Sequence, residues 1–347
     1  MDIFLLRLDR VGDFVLGIPA YRALKRAHPR DRIMAVVSPL VKDLAETCPY
    51  FDEVFLFEAV WLQPGRGLSR RWASARRLIS FLRSKKPDMV VDFRYQSRLD
   101  AFVTGFSGAS KRVGFDLGFP ASLFLTHKSS PPPGNLHQVE RNLHLLRKMG
   151  IEDPDLHLEM WVNARDRKTA EEHMPRQENL PGIPRVAVHI GAATPSKQWK
   201  ADDFSTLVQE LEAQFQAQVA LLGGVDDVQT AKDVTEGLKG PVTDLVGHLD
   251  LRQTAALLKT CDLFIGGDSG LGHLAAACGT PVVSLFSAAN EPEVWRPWGE
   301  KVRVLTVKPD CAPCKSHTCT RTDGYFCMDE IRVDQVLDAV KGFLKPA

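Results

Sequence analysis

Four features that would assign this sequence to other classes of protein are absent. The 347 residues carry a net charge of only +1, so overall charge gives no argument for nucleic acid or for a strongly acidic partner. No run approaches the roughly 18–20 uncharged residues that span a bilayer. Asp2 stands where a secretory signal would be basic, and Arg7 interrupts the apolar run that follows. No Gly-x-Gly-x-x-Gly follows the first predicted strand, which argues against a dinucleotide-dependent dehydrogenase.

The remaining composition is that of an ordinary globular protein. Apolar residues make up 44% of the chain and charged residues 25%, and the length accommodates two domains with separate cores. Seven cysteines are an odd number in a chain without an export signal, so we expect a cytoplasmic protein.

The most informative stretch is residues 261–286. Residues 263–265 predict a buried strand, two glycines end it, the small apolar run 270–278 predicts a helix, and residues 282–286 predict a second buried strand. A strand, a turn, a helix and another strand in this order predict a parallel sheet with a right-handed crossover.

Polar residues occupy the turn of this unit. Asp268, Ser269 and Gly270 lie where the carboxyl end of a strand meets the N-terminus of a helix, and such a position favours an anion such as phosphate. His273 follows Ser269 by four residues and therefore lies on the same side of the helix. The residues alone leave an alternative open, in which Asp268 or Ser269 only caps the helix and His273 is an ordinary buried histidine.

The N-terminal segment has a similar arrangement. Residues 3–8 predict a strand, residues 9–13 a turn, and residues 14–27 a helix with Pro19 in its first turns. Asp13 lies at the carboxyl edge of the predicted sheet, where open α/β folds bind ligands. The nearby helix N-terminus favours the ionised form of Asp13 at neutral pH, although a helix-capping aspartate is the alternative.

Together the two segments resemble the ADP-heptose:lipopolysaccharide heptosyltransferases of glycosyltransferase family nine. The family's donor motif, Asp-Thr/Ser-Gly-x-x-His, matches residues 268–273, and its N-terminal signature matches Arg7-Leu8, Gly12-Asp13 and Pro19-Ala20. The resemblance implies Asp13 as the catalytic base. It also implies an α/β fold of the GT-B type, with two Rossmann-like open parallel-sheet domains that face a cleft. We expect an acceptor-binding domain at 1–158 and a donor-nucleotide-binding domain at 159–347, with a final helix that packs back on the first.

The second half supplies further donor-binding candidates. A loop of hydroxyl groups with one lysine follows the predicted strand 186–190, and such a loop suits a diphosphate. The family places a Lys-x-Trp pair here, as at Lys197 and Trp199, and an acidic residue after the next strand, for which we choose Asp226 with Asp227 in reserve. A surface lysine and an ordinary strand-to-helix turn are the alternatives. The donor-binding set is Thr194, Ser196, Lys197, Asp226, Asp268, Ser269, Gly270 and His273.

Candidate acceptor-binding groups lie in the first half. Arg94, Gln96 and Arg98 follow the predicted strand 89–93, and Arg10 lies beside Asp13. The family usually has small hydroxyl residues where this chain has Asp9 and Arg10, which puts a transfer of acceptor specificity in doubt.

Residues 68–84 predict a helix with Leu68 and Trp72 on its apolar, core-facing side and several arginines on the other. We interpret the arginines as a solvated face. Contact with anionic lipid or with a phosphorylated acceptor is the alternative.

Four cysteines fall in one loop, at Cys311, Cys314, Cys319 and Cys327. The first two have the C-x₂-C spacing with which two thiolates chelate one ion, and the others could complete a tetrahedral set. A similar loop recurs in the family, and related protein heptosyltransferases hold iron with four cysteines. The hypothesis is a structural zinc or iron. The alternatives are reduced thiols that merely pack, or a disulfide formed after lysis.

The resemblance thus implies an inverting glycosyltransferase that moves heptose from ADP-heptose to the lipopolysaccharide inner core, with no cofactor required for catalysis. The implied partners are an ADP-sugar donor, a lipid-linked saccharide acceptor and the inner-membrane surface, contacted peripherally, and no nucleic acid is expected. Two alternatives remain. One is a transferase of the same fold with another nucleotide sugar or a protein acceptor, and the other is a non-catalytic nucleotide-sugar-binding protein, against which Asp13 argues.

Overall fold

The computed structural model describes residues 1–63, 65–94, 98–175, 182–238, 240–322 and 326–346. The chain divides into two compact units, Met1–His157 and Leu158–Ala347. Each unit contains an open sheet of six strands, and every strand pairing is parallel. The prediction of two Rossmann-like α/β sheets is therefore confirmed. Within the described ranges, no helix has the length and apolar character needed to cross a membrane.

The sheet of the first unit has the strand order β3-β2-β1-β4-β5-β6. Its strands are β1 (Asp2–Arg7), β2 (Arg32–Val37), β3 (Glu53–Leu56), β4 (Met89–Asp92), β5 (Lys111–Phe115) and β6 (His127–Ser129). Its helices are α1 (Val11–Leu16), α2 (Ile18–Ala27), α3 (Lys42–Ala45), α4 (Leu68–Lys85), α5 (Arg98–Phe106) and α6 (Gln138–Arg147). All of the apolar residues of the central strand β1 are buried, as expected of a strand covered on both faces.

The second unit repeats this plan with the order β12-β11-β10-β7-β8-β9. Its strands are β7 (Arg185–His189), β8 (Gln218–Leu222), β9 (Val242–Asp244), β10 (Leu263–Gly267), β11 (Val282–Phe286) and β12 (Val302–Thr306). Its helices are α7 (Ala164–His173), α8 (Ala201–Phe215), α9 (Val228–Thr235), α10 (Leu251–Leu258), α11 (Gly270–Ala277), α12 (Pro292–Trp295), α13 (Phe326–Asp329) and α14 (Val333–Lys341). Within this unit α14 packs against α8, β11 and β12.

The helix predicted over residues 14–27 is two helices, α1 and α2, that meet at Gly17. Pro19 lies in the first turn of α2, where its missing N–H removes no intrahelical hydrogen bond. A side chain at Gly17 would collide with the Tyr21 ring, since an added Cβ would lie 2.1 Å from the phenolic oxygen. Because α1 begins at Val11, Asp13 lies in the first turn of a helix.

Helix α4 starts at the predicted residue, but its packed face begins about two turns later than predicted. Ala75, Leu78 and Leu82 are fully buried, whereas Leu68 is 71% and Trp72 is 38% exposed. The prediction that Leu68 and Trp72 face the core is therefore wrong. The beginning of α4 extends beyond the edge of the core, and only the middle and the end of the helix pack against the core.

Candidate functional site

The candidate donor residues of the second unit lie at one edge of its sheet, after the neighbouring parallel strands β7 and β10. Lys197 Nζ lies 2.5 Å from Asp268 Oδ2, and Asn290 Nδ2 donates to the same oxygen at 2.6 Å. Asp268 is only 8% exposed, so Lys197 and Asn290 compensate its charge in place of water. Sequence reasoning missed Asn290, although its position just after β11 was an available signal.

Ser269 and two histidines adjoin this ion pair. Ser269 is the N-cap residue of α11, yet its hydroxyl makes no capping hydrogen bond and lies 3.2 Å from Nδ1 of His189. His273 is buried, and its Nδ1 has no hydrogen-bond partner among the described residues. Burial lowers the pKa of both histidines to about 4, so both imidazoles are neutral at pH 7. An unpartnered buried nitrogen and a non-capping hydroxyl at a helix N-terminus can serve a ligand.

The hydroxyl groups of the loop after β7 are used by the protein itself. Ser196 donates from Oγ to the Ser316 carbonyl at 2.8 Å and from its N–H to the His317 carbonyl at 3.3 Å. Thr194 Oγ1 lies 3.2 Å from Ser196 Oγ. The cysteine-containing loop therefore braces the loop that carries Lys197.

Trp199, which follows Lys197 by two residues, anchors the same loop from the other side. Its indole is buried, packs edge-on to Phe204 with ring centroids 4.8 Å apart, and donates from Nε1 to the Ile331 carbonyl at 2.8 Å. The tryptophan of the family motif therefore has a packing role here, and the lysine carries the charge.

Asp226 and Asp227 follow β8, which pairs with β7 at the same sheet edge. Asp227 Oδ2 accepts the Gly224 N–H at 2.7 Å and so stabilises the turn. Asp226 is exposed, and its carboxylate makes no hydrogen bond within the described ranges. Of the two, Asp226 is the carboxylate available to a ligand.

In the first unit, a buried arginine positions Asp13. The Arg7 guanidinium donates to the Asp13 carbonyl from Nε at 3.0 Å and from a terminal nitrogen at 2.5 Å, and Arg7 is 1% exposed. The Asp13 carboxylate accepts only a long hydrogen bond, of 3.4 Å, from the Arg10 N–H. Its oxygens are therefore weakly engaged and can accept a proton.

The environment of Asp13 raises its pKa to about 6. Burial contributes most to the increase, and the nearby negative charge of Asp9 adds to it. The positive charges of Arg7 and Arg94 oppose the increase. A carboxylate with a pKa near 6 is ionised at neutral pH and still basic enough to take a proton, which suits a general base.

Arg94 connects Asp9 to the interior of the unit. Its guanidinium pairs with Asp9 through one terminal nitrogen and with Asp100 through Nε at 2.8 Å. The other oxygen of Asp100 accepts a hydrogen bond from Trp61 Nε1 at 2.6 Å, and Asp100 is 3% exposed. Two carboxylates thus balance the charge of Arg94, and Arg94 holds Asp9 in place. Sequence reasoning singled out Arg94 but missed Asp100 and Trp61, because contacts between distant segments leave no local pattern.

The remaining acceptor-binding candidates differ in their surroundings. Arg10 and Arg98 are both exposed, Arg10 immediately before α1 and Arg98 at the start of α5. Gln96 lies outside the described residues. Exposed arginines of this kind are free to contact an anionic group on a partner.

Three free thiols, Cys311, Cys314 and Cys319, lie in the loop that braces Ser196, and a fourth, Cys327, lies in α13 just after it. Burial raises the pKa of the Cys327 thiol, a hydrogen bond with the Ala288 backbone opposes the increase, and the other three thiols add to it. No group of three or more His, Cys, Asp or Glu side chains is arranged to hold a metal ion in the part of the chain that the structure describes. The described residues therefore show no arrangement for the structural zinc or iron of the hypothesis, and elemental analysis decides between it and the packing alternative.

Two parallel α/β units, with polar side chains clustered at the carboxyl edge of each sheet, are the architecture of the GT-B class of glycosyltransferases. The chain belongs to glycosyltransferase family 9 (heptosyltransferase), whose sequence profile matches residues 75–323. It is similar to lipopolysaccharide heptosyltransferase 3 of Escherichia coli K12, with 29% identity over 304 residues that cover 84% of this chain and 83% of that protein.

Solved structures confirm the fold. A family 9 glycosyltransferase from Veillonella parvula superposes with a TM-score of 0.82 at 20% identity, over 99% of this chain and 96% of that one. An E. coli heptosyltransferase determined with ADP gives 0.70 at 18% identity, over 99% of both chains. The iron-containing dodecameric glycosyltransferase TibC of E. coli gives 0.58 at 16% identity, over 99% of this chain and 78% of that one.

Proposed function

We propose that this protein is an inverting heptosyltransferase that moves heptose from ADP-heptose to a lipid-linked saccharide of the lipopolysaccharide inner core. It would act in the cytoplasm, at the surface of the inner membrane. The similarity to lipopolysaccharide heptosyltransferase 3 supports the sugar and the acceptor class. The observation that carries the proposal is the group at the β10–α11 turn, where Lys197 is fixed by Asp268 beside a non-capping Ser269 hydroxyl.

The donor would bind at that turn. The Lys197 ammonium and the N–H groups at the start of α11, including that of Gly270, would stabilise the negative charge that develops on the departing ADP. The neutral imidazole of His273 and the Ser269 hydroxyl would hydrogen-bond the donor, and Asp226 would accept from ribose hydroxyls. Asp268 would act through Lys197, whose ammonium it holds at the end of the strand.

The acceptor hydroxyl would transfer its proton to Asp13. Its oxygen would attack the anomeric carbon as the bond from that carbon to the diphosphate oxygen breaks. One displacement of this kind gives a product with the anomeric configuration opposite to that of the donor. Lysine and the helix N-terminus supply the counter-charge, so no step is assigned to a metal.

Calorimetric screening of nucleotide sugars tests the donor assignment, and NMR of the product tests the stereochemistry. We expect ADP-heptose to bind more tightly than UDP- or GDP-sugars, and the product anomer to be inverted. Retention of configuration would exclude the single displacement. Binding of ADP-heptose without transfer to any acceptor would favour a non-catalytic nucleotide-sugar-binding protein. Transfer to a protein would favour a transferase of the same fold with a protein acceptor.

The negative charge of Asp9 should affect the dependence of kcat/KM on pH. If Asp13 is the base, kcat/KM should fall as the pH falls through about 6, because only the ionised carboxylate accepts a proton. Asp9→Asn removes a negative charge that raises the Asp13 pKa, so the acidic limb should move to lower pH, by about one unit. Asp2→Asn, at the other end of β1, is the control and should leave the limb in place. An unmoved limb in Asp9→Asn would show that Asp9 does not set this pKa.

Elemental analysis tests the cysteine loop. Because the four thiols are not arranged as metal ligands, we expect less than about a tenth of an equivalent of zinc or iron in protein purified without added metal. Four thiols of the loop should then titrate freely, and the chelator EDTA should leave the melting temperature unchanged. One equivalent of either metal per chain, with protected thiols, would instead establish the structural site that the family resemblance implies.

A further inference from the structure

An apolar patch lies on the surface of the first unit. Ten large apolar side chains are exposed among the described residues, and five of them belong to three neighbouring segments of this unit. We use the name apolar patch for Leu68, Trp72, Phe106, Phe119 and Leu123. Phe119 is 79% and Leu123 is 65% exposed. Apolar side chains gathered in this way on a surface mark a site of interaction.

Aromatic contacts join these segments into one surface. Trp72 of α4 packs edge-on to Phe102 of α5 with ring centroids 5.0 Å apart. Phe102 contacts Phe106 at 4.4 Å and Phe124, the neighbour of Leu123, at 5.5 Å. A cavity of about 460 Å³ opens among Trp61, Leu68, Trp72, Phe102 and Phe124, with Arg71 and Arg98 on its wall. The patch therefore has both protruding side chains and an apolar recess.

The helix that begins in the apolar patch is strongly basic. Helix α4 carries six arginines and lysines and no acidic residue, whereas the whole chain has a net charge of +1. The guanidinium groups of Arg76, one turn after Trp72 on the same side of α4, and of Arg98, on the wall of the recess, have no ion-pair partner in the ranges that the structure describes. Unpaired arginines beside an apolar patch complement an anionic, partly apolar surface.

The patch is connected to the candidate catalytic residue. Trp61 lines the cavity with its ring, while its Nε1 donates to Asp100 at 2.6 Å. Asp100 holds Arg94, which pairs with Asp9 beside Asp13. A lipid bound at the patch would therefore lie next to the network that positions the base.

We propose that the apolar patch, with Arg76 and Arg98 beside it, docks the protein on an anionic phospholipid bilayer. The apolar side chains would enter the interfacial layer, and Arg76 and Arg98 would pair with lipid phosphates. The inference deepens the proposed function and rests on it for the lipid-linked nature of the acceptor. A soluble phosphorylated saccharide would give the arginines a partner but would leave Phe119 and Leu123 in water.

Vesicle sedimentation of the full chain tests the docking surface. We expect binding to vesicles of phosphatidylglycerol and phosphatidylethanolamine, and little binding to phosphatidylcholine alone. Arg76→Gln/Arg98→Gln should weaken the binding by about 30-fold at low salt, since each arginine near an anionic surface contributes a factor of about five. Leu68→Asn/Leu123→Asn should weaken it by about tenfold, and this loss should persist at high salt.

Matched controls separate the surface from general charge and hydrophobicity. Arg30→Gln/Arg303→Gln and Leu40→Asn/Val225→Asn change equally exposed residues elsewhere and should bind vesicles as the wild type does. The proposal would be overturned if the wild type bound neutral and anionic vesicles equally, or bound neither. It would also be overturned if both test variants bound anionic vesicles as tightly as the wild type does. A further contrary result would be that the test variants lose transfer to lipid-embedded acceptors and to acyl-free acceptors to the same extent. Because sedimentation requires no transfer, its outcome is independent of whether the proposed reaction occurs.

Discussion

Replacement of Asp13 by asparagine is expected to lower the rate of sugar transfer by about 10²–10⁴-fold, which is the usual effect of losing a general base. The affinity for ADP should stay nearly unchanged, because the candidate nucleotide-binding residues belong to the other unit of the chain. Single-turnover assays with saturating donor and acceptor measure the first quantity, and calorimetry measures the second.

The same substitution should not destabilise the fold. The folded state raises the pKa of Asp13 to about 6, so folding disfavours the ionised form, and at pH 7 that charge costs stability. Asparagine removes the charge and keeps the shape, so the melting temperature at pH 7 should be equal to or higher than that of the wild type. Asp2→Asn is again the matched control, with wild-type transfer expected. Wild-type turnover in Asp13→Asn would show that another group takes the proton.

Replacement of Lys197 by methionine is expected to weaken the binding of ADP by about 100-fold. A charge-assisted hydrogen bond contributes about 1.5–3 kcal/mol, and its removal also leaves the Asp268 carboxylate without its cation beside the diphosphate. The double variant Lys197→Met/Asp268→Asn should recover part of the loss, because the repulsive charge is gone as well. Calorimetry on the four members of this double-mutant cycle gives the coupling.

Lys200 is the matched control for this cycle. It lies three residues after Lys197, has a 58% exposed side chain, and pairs with Asp329 at 3.2 Å. Lys200→Met should bind ADP as the wild type does, since an exposed ion pair contributes little. Equal affinities for Lys197→Met and Lys200→Met would place the diphosphate elsewhere.

Local patterns were sufficient for much of the fold and for part of the site. The apolar runs at residues 263–265 and 282–286 predicted β10 and β11, because a strand buried on both faces must be apolar throughout. The turns that follow buried strands predicted where Lys197 and Asp268 would lie, since parallel strands place their carboxyl ends at one edge. Their 2.5 Å ion pair agrees with that expectation.

The same patterns failed where a residue's environment comes from distant segments. Leu68 and Trp72 have helical spacing with Leu78 and Leu82, but the spacing does not say where the core ends along α4. Likewise the position of Asn290 just after β11 places it near this sheet edge, but no local pattern says that it donates to Asp268.

The sequence alone determined the class of fold, the family, and the positions of the candidate base and of the candidate phosphate-binding turn. These features depend on residues close together in the chain, where strand burial, glycine turns and helix ends impose a regular order. The tertiary structure decided which of the polar groups are engaged and which are free. It is the folded first unit that joins Asp9, Arg94, Asp100 and Trp61 around Asp13, and the limit of its core that leaves an apolar patch beside unpaired arginines. Burial and charge pairing depend on every segment that packs nearby, and no local stretch of sequence contains that information.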